Sequence, residues 1–280
     1  MTIVFFGNTK YSLIGAKIIH EALNLSQIVT IPDRPDKRGR LIPSPLKTFG
    51  SENNIPVMEI NKIDDNTIES LAKLKPDFFV VEDYGLILPQ KLLNIPKISC
   101  LNIHHSLLPK YRGPSPAPTA ILNGDKITGV TVMNVAQKVD AGDILAQEKY
   151  EIKSADTTGS LLSVLNDLGA RLAVKVMADF TKVKPIPQDE NQVVFTQMLK
   201  KSDGFIEINN PPAPDKLNRM IRAYFPWPTV WTRLTINGQE KIVKFLPANK
   251  IQVEGKNPMT IKDFINGYPE LKEIIEKIMQ

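Results

Sequence analysis

The chain contains few of the residues that form covalent cross-links or bind metals. Its 280 residues include one cysteine, Cys100, and three histidines. A single cysteine excludes an internal disulfide. No metal site is predicted, because the adjacent His104 and His105 point to opposite faces of an extended chain. Cys100 adjoins an apolar stretch, which favours a buried thiol over a reactive one.

Long apolar runs are also absent. No stretch is long enough to span a membrane. Residues 2–6 form a strand pattern at the amino terminus, where a secreted protein would have a signal peptide. We therefore expect a cytoplasmic protein that makes no membrane contact.

The composition is that of a globular protein, with 42% hydrophobic and 23% charged residues. The length allows two domains or one large one. A net charge of +5 permits nucleic-acid binding. A basic surface that binds nothing is equally compatible with it.

The first two thirds of the chain alternate strand patterns with amphipathic helix patterns. Residues 2–6 and 27–31 predict strands, and residues 12–23 between them predict a helix. This order is typical of a doubly wound, Rossmann-like α/β domain, which we place at residues 1–183. The G-x-G-x-x-G motif is missing, so a dinucleotide site is not supported.

The last third predicts a second, smaller domain. Residues 184–200 are polar and contain prolines, which indicates a linker. Residues 201–280 then show a helix pattern at 213–222 and several strand patterns. Asn237-Gly238 is a strong signal for a hairpin turn between two of those strands.

The stretch from Leu101 to Asp143 contains the residues most suited to catalysis. Asn102 and His104 are two positions apart, so on a strand their side chains share one face, and open α/β sheets bind ligands at the carboxyl ends of their strands. Asp140 follows in a later loop, where its carboxylate could orient the His104 ring or accept a proton through water. Together they suit acyl transfer to an amine: Asn102 can donate to the carbonyl oxygen, and His104 can donate or relay a proton. Taken singly, a capping Asn, a core His and a turn Asp are the commoner roles of such residues, whereas the three together form a much more specific motif.

The motif N-x-H-x-S-L-L-P-x-Y-R-G followed by D-x-G-D resembles the folate-dependent formyltransferase family over nearly the whole chain. The resemblance implies transfer of a formyl group from 10-formyltetrahydrofolate to an amine, with Asn102, His104 and Asp140 as catalytic residues. It also implies the folate-binding residues, which are Ile87, Leu88, Ser106, Leu107, Leu108 and Pro109. Three residues depart from the family pattern: His105 stands where a small residue is usual, and Glu82 and Asp83 lie in the folate-binding loop.

Residues 32–45 combine prolines with four basic residues, Arg34, Lys37, Arg38 and Arg40. On pattern alone this is a solvated basic loop. The resemblance instead implies a loop that binds the tRNA acceptor stem, with Arg38 matching the family's key arginine. Such a loop can contact phosphates and become ordered on binding.

The carboxyl-terminal part resembles the family's OB-like β-barrel in its Arg-Ala-Tyr-Phe-Pro-Trp-Pro segment, although the barrel is shortened here. With the basic loop, this favours initiator methionyl-tRNA as the amine substrate of a monomeric enzyme in translation initiation. A formyltransferase for another amine, such as an amino-sugar nucleotide, remains an alternative, as does a non-catalytic RNA-binding relative.

Overall fold

The computed structural model describes residues 1–35 and 39–279. The chain divides into two compact units. The first consists of Met1–Gly113, Gly129–Tyr150 and Leu162–Phe195, and the second of Pro114–Thr128, Glu151–Leu161 and Thr196–Gln280. The domain and linker boundaries placed at residues 183 and 200 from the sequence stay a prediction.

Eleven short strands precede residue 200 in the described chain. They are β1 (Ile3–Phe6), β2 (Gln27–Thr30), β3 (Arg34–Pro35), β4 (Leu41–Ile42), β5 (Val57–Glu59), β6 (Phe78–Val81), β7 (Ser99–His104), β8 (Lys110–Arg112), β9 (Ile127–Asn134), β10 (Ile144–Glu151) and β11 (Val194–Phe195). Seven of them form one sheet in the order β10-β9-β7-β6-β1-β2-β5. Neighbouring strands are parallel from β7 through β6, β1 and β2 to β5. Strand β9 runs antiparallel to β7. With β1 inside and later strands added on both sides, the sheet is doubly wound, as predicted.

Six helices accompany these strands. They are α1 (Ser12–Leu23), α2 (Pro45–Glu52), α3 (Asp65–Lys73), α4 (Gln90–Leu93), α5 (Pro116–Asn123) and α6 (Thr158–Ala178). Side chains determine where two of them begin: Ser44 accepts from the backbone N–H of Lys47 at the start of α2, and Asp64 accepts from that of Thr67 at the start of α3.

The central strands are buried on both faces. All four residues of β1 and of β6 have buried side chains, as expected of a parallel sheet covered by helices. Phe6 and Phe79 pack edge to face with ring centroids 5.0 Å apart. Cys100 belongs to the same core and is 5% exposed, and burial raises the pKa of its thiol. The predicted buried cysteine is confirmed.

Two local features were not predicted. Residues 110–118 contain three prolines, which disfavour a helix interior, yet α5 begins at Pro116 and includes Pro118. Proline is compatible with the first turn of a helix, where its missing N–H would have no intrahelical partner. Strand β10 was also not predicted, because its polar outer residues obscure the strand pattern.

The second unit contains a small antiparallel sheet. Its elements are α7 (Pro214–Ala223), β12 (Val230–Ile236), β13 (Gln239–Leu246), β14 (Lys250–Val253), β15 (Met259–Thr260), α8 (Ile261–Gly267) and α9 (Lys272–Met279). The strands pair in the order β12-β13-β14-β15. Asn237 and Gly238 both have positive φ, 51° and 74°, which is the turn conformation their sequence favours. The predicted α/β class with a small β domain is confirmed.

No helix in residues 1–35 and 39–279 has both the length and the apolar character needed to cross a membrane.

Candidate active site

Asn102 and His104 lie on β7 near the carboxyl edge of the sheet. Asn102 is opposite Val81, the last residue of β6, and His104 is opposite Thr131 of β9. Because they are two residues apart on a strand, their side chains project from the same face. Asn102 is half-buried and His104 is buried. The structure therefore brings an amide and an imidazole together at the edge where α/β sheets bind ligands.

Two oxygen atoms face the ring nitrogens of His104. Its Nε2 lies 2.9 Å from the carbonyl oxygen of Tyr111. A carbonyl only accepts, so this geometry assigns the ring proton to Nε2. The other nitrogen, Nδ1, faces the carboxylate of Asp140 with 3.7 Å between Nδ1 and Oδ2. The ring is thus fixed at Nε2, and Nδ1 points toward a negative charge.

Asp140 sits in a loop whose backbone is tightly constrained. Its φ is +50°, in the left-handed region, and its Oδ2 accepts from the backbone N–H of Gly113 at 2.8 Å. A Cβ on Gly142 would lie 1.7 Å from the carbonyl oxygen of Asn134. Asn134 in turn donates its N–H to the carbonyl of Asp143 at 3.0 Å. The D-x-G-D spacing therefore gives the carboxylate its position beside His104.

The segment Tyr111-Arg112-Gly113 supports both catalytic candidates. Tyr111 accepts from His104 and Gly113 donates to Asp140. Tyr111 and Gly113 have φ values of +68° and +107°, so the segment is a compact turn, and the side chain of Arg112 between them is fully buried. Arg112 Nε donates to Gln188 Oε1 at 2.9 Å. Gln188 was not predicted from the sequence, because a lone glutamine among prolines carries no recognisable pattern.

The predicted folate-binding residues fall into two groups. Ile87 is 82% exposed and, with Leu86 and Pro89, lines a pocket of about 280 Å³ that Asn61, Lys62 and Ile63 complete. Leu88, its neighbour, is 8% exposed and packs in the core of the sheet. Ile87 is therefore available to a ligand, whereas the side chain of Leu88 supports the loop from inside.

Residues Ser106 to Pro109 follow β7 in a well-bonded turn. Ser106 is buried, and its Oγ donates to the carbonyl of Lys110 at 2.6 Å. Leu108 is also buried, and its N–H donates to Thr131 Oγ1 at 3.1 Å. Leu107 and Pro109 are half-buried. A ligand at this turn would meet a rigid backbone and two partly exposed apolar side chains.

The basic loop starts from a short ribbon that was not predicted. Arg34 in β3 pairs with Ile42 in β4, and Arg40 is exposed. Lys37 and Arg38 lie outside the described residues. At the base of the loop, Lys47 forms an ion pair with Asp33, with Nζ and Oδ2 2.8 Å apart.

A buried acid and a buried histidine lie beside the candidate catalytic residues. Glu82 is fully buried, and its Oε1 is 3.8 Å from Nε2 of His105. His105 Nδ1 is 3.5 Å from Oδ1 of Asp83. Burial, and then the charge of Asp83, raise the pKa of Glu82 well above its usual value, and burial lowers the pKa of His105. Burial thus favours the neutral form of each group. The three departures from the family pattern thus contact one another.

Replacing Glu82 with glutamine is expected to remove a pH dependence of stability. The raised pKa of Glu82 means that the folded protein keeps a proton that the unfolded chain releases above about pH 4.5. Stability contributed by this group is therefore lost as pH rises from about 4.5 toward the folded pKa. Urea unfolding from about pH 5 to about pH 8 should show the wild type losing free energy of unfolding relative to Glu82→Gln. Glu69→Gln, at an exposed position on α3, is the matched control. Parallel curves for wild type and Glu82→Gln would contradict the prediction.

The comparison with known proteins decides the family. A formyl transferase family matches residues 1–177. A methionyl-tRNA formyltransferase from Thermodesulfovibrio yellowstonii is 34% identical over 299 residues, covering 95% of both chains. The chain belongs to the methionyl-tRNA formyltransferase family. It is therefore an enzyme of the formyl transferase class, and the sequence-based resemblance is confirmed.

Solved structures show the same fold. A 4-N formyltransferase from Francisella tularensis superimposes with a TM-score of 0.65 at 20% identity, covering 88% of this chain and 97% of the other. HypX from Aquifex aeolicus, solved in complex with tetrahydrofolic acid, has a TM-score of 0.64 at 15% identity and covers 97% of this chain and 48% of its own. A folate-type co-substrate fits the family. Within residues 1–35 and 39–279, no three His, Cys, Asp or Glu side chains form a metal-binding group.

Proposed function

We propose that the chain transfers the formyl group of 10-formyltetrahydrofolate to the α-amino group of methionyl-initiator-tRNA. The observation that carries this proposal is the convergence of Asn102, His104 and Asp140 at the carboxyl edge of the sheet. The similarity to a methionyl-tRNA formyltransferase supports the tRNA substrate.

Each of the three side chains has a distinct role in the proposed reaction. When the amine attacks the formyl carbon, the formyl oxygen gains negative charge, and the Asn102 amide donates a hydrogen bond to it. Donors of this kind contribute about 3–4 kcal/mol to the transition state. The proton lost by the amine passes to His104 Nδ1, because Nε2–H is already donated to Tyr111. Asp140 stabilises the resulting imidazolium.

In the last step the formyl group leaves N10 of the folate and remains on the amine nitrogen. The bond between the formyl carbon and N10 of the folate breaks, and the proton held by His104 moves to N10. The products are formylated methionyl-tRNA and tetrahydrofolate, so one formyl group has been exchanged for one proton. Ile87 and the Ser106–Pro109 turn are the residues we assign to the folate, since Ile87 lines an open pocket and the turn begins two residues after His104.

Residues 32–45 are assigned to the tRNA. Four basic side chains lie there, and each phosphate contact contributes roughly one unit to the salt dependence of binding. The acceptor end must reach His104, and a weak or mismatched first base pair costs least to open.

Arg38→Ala is expected to lower kcat/KM on initiator tRNA more than Arg34→Ala does, because a side chain at the end of the acceptor stem senses opening of the first base pair. Arg34→Ala should give a smaller and more salt-dependent loss. The measurement is formylation of initiator tRNAs with a mismatched or a paired first base pair by wild type and both variants. If both variants lose the same kcat/KM on both tRNAs, the loop is a basic surface that does not sense the first base pair.

The proposed function is tested by a formylation assay with 10-formyltetrahydrofolate and three amines. These are charged initiator methionyl-tRNA, charged elongator methionyl-tRNA and an amino-sugar nucleotide. We expect formylation of the initiator tRNA and little of the other two. Preferred formylation of the sugar nucleotide would establish the alternative enzyme, and tetrahydrofolate binding without any turnover would indicate a non-catalytic relative.

A further inference from the structure

We propose that Gln188 is a positioning residue for Asp140, acting from a segment that the sequence analysis interpreted as a linker. This inference rests on the proposed function, because it assigns Gln188 a role in the same reaction.

The amide of Gln188 bonds to the Asp140 loop at two points. Its Nε2 donates to the carbonyl of Asp140 at 2.8 Å and to the carbonyl of Gly142 at 2.7 Å. Its Oε1 accepts from Arg112 Nε at 2.9 Å. Both amide hydrogens and the amide oxygen are therefore used, and a flipped amide would place its oxygen against two carbonyls.

Asp140 needs such support because of its backbone. A residue other than glycine at a φ of +50° lies in a sparsely populated region and stays there only when its surroundings hold it. The two hydrogen bonds from Gln188 fix the Asp140–Ala141 and Gly142–Asp143 peptide planes, which contain the two accepting carbonyls. They thereby determine the direction in which the Asp140 carboxylate leaves the backbone toward His104.

Gln188 is itself well placed by its neighbours. Ile186, two residues earlier, exchanges backbone hydrogen bonds of 2.8 Å in both directions with Ile144 at the start of β10. Two residues later, Glu190 accepts from Arg112 Nη2 at 2.9 Å and pairs with Lys138 at 3.2 Å. The hydrogen bonds from Arg112 and Lys138 lower the pKa of Glu190. The segment around Gln188 is therefore bonded to the catalytic unit before, at and after that residue.

The same arrangement connects Gln188 to both supports of the site. Arg112 lies between Tyr111, which fixes His104, and Gly113, which fixes Asp140. Gln188 bonds to Arg112 and to the Asp140 loop. Hydrogen bonds therefore connect the Tyr111–Gly113 turn to that loop through the Gln188 side chain. A change at Gln188 should then disturb the relation between His104 and Asp140 while leaving the surfaces assigned to folate and tRNA intact.

The expected result is a loss in kcat. Gln188→Ala should lower kcat by about 10–100-fold, because displacing a catalytic group by about 1 Å can cost that much. KM for both substrates should stay within about threefold of the wild type. Gln188→Glu should be at least as slow, since its carboxylate cannot donate to the two carbonyls. Gln192→Ala is the matched control: Gln192 lies in the same segment, is exposed and donates to Asp189.

A double-mutant cycle separates positioning from general damage. If Gln188 acts through Asp140, adding Gln188→Ala to Asp140→Ala should cause little further loss of kcat. A full 10–100-fold further loss on that background would overturn the inference, as would wild-type kcat in Gln188→Ala. An inactive wild type would instead contradict the proposed function, so the two failures are distinguishable.

Discussion

Purified His104→Ala protein is expected to turn over about 10²–10⁴-fold more slowly than the wild type, as for other lost acid–base groups. His104 bonds to the carbonyl of Tyr111 through Nε2 and faces the carboxylate of Asp140 with Nδ1. Without the ring, the amine has no proton acceptor in place. Single-turnover formylation at saturating folate and tRNA measures the loss.

Asn102→Ala should fall in the same range for a different reason, the loss of a donor to the formyl oxygen. His20→Ala is the matched control, because His20 is on α1 and its Nδ1 accepts from Leu25 N–H away from β7. Circular dichroism and tetrahydrofolate binding should be unchanged in both active-site variants. Near-normal turnover in either of them would remove that residue from the mechanism.

Gly15→Ala is expected to lower the free energy of unfolding by about 1–3 kcal/mol, the range for overpacking in a core. In a solvent-exposed helix the same change usually stabilises by about 0.8–1.0 kcal/mol. The sign reverses here because a Cβ on Gly15 would lie 1.9 Å from Oε2 of the buried Glu82. Urea unfolding of the variant measures the change.

A second substitution tests the cause. Gly15→Ala combined with Glu82→Val should recover at least wild-type stability, because valine leaves room for the new methyl group and removes a buried carboxyl group. Gly15→Ala with the distant Glu69→Gln should remain as unstable as Gly15→Ala alone. If the valine gives no recovery, the contact between Gly15 and Glu82 does not limit the packing.

The elements governed by short-range patterns could be predicted from sequence. Helix α1 begins and ends where its periodicity indicated. The placement of Asn102 and His104 on one face of β7 followed from their spacing alone. Asp140 could be linked to them only through the resemblance to a family, since no local rule brings a distant loop to a strand.

The residues that escaped prediction depend on tertiary contacts. Pro116 begins a helix although the surrounding prolines suggested irregular structure. Gln188 acquires its importance from Arg112, 76 residues earlier in the chain. From the sequence, Glu82 was only a departure from the family pattern in the folate-binding loop, and the structure shows a fully buried carboxyl group that packs against Gly15. Such features arise from packing between segments that are far apart in sequence.

The burial of Cys100 makes the chain suitable for site-specific chemical labelling. Thiol reagents attack the thiolate, and the core position of Cys100 both shields the sulfur and raises its pKa. A cysteine introduced at Leu41, which is 66% exposed in β4, would therefore react with a maleimide dye while the native thiol stays unmodified. A fluorophore at that position would test whether initiator tRNA binds at the basic loop, as proposed.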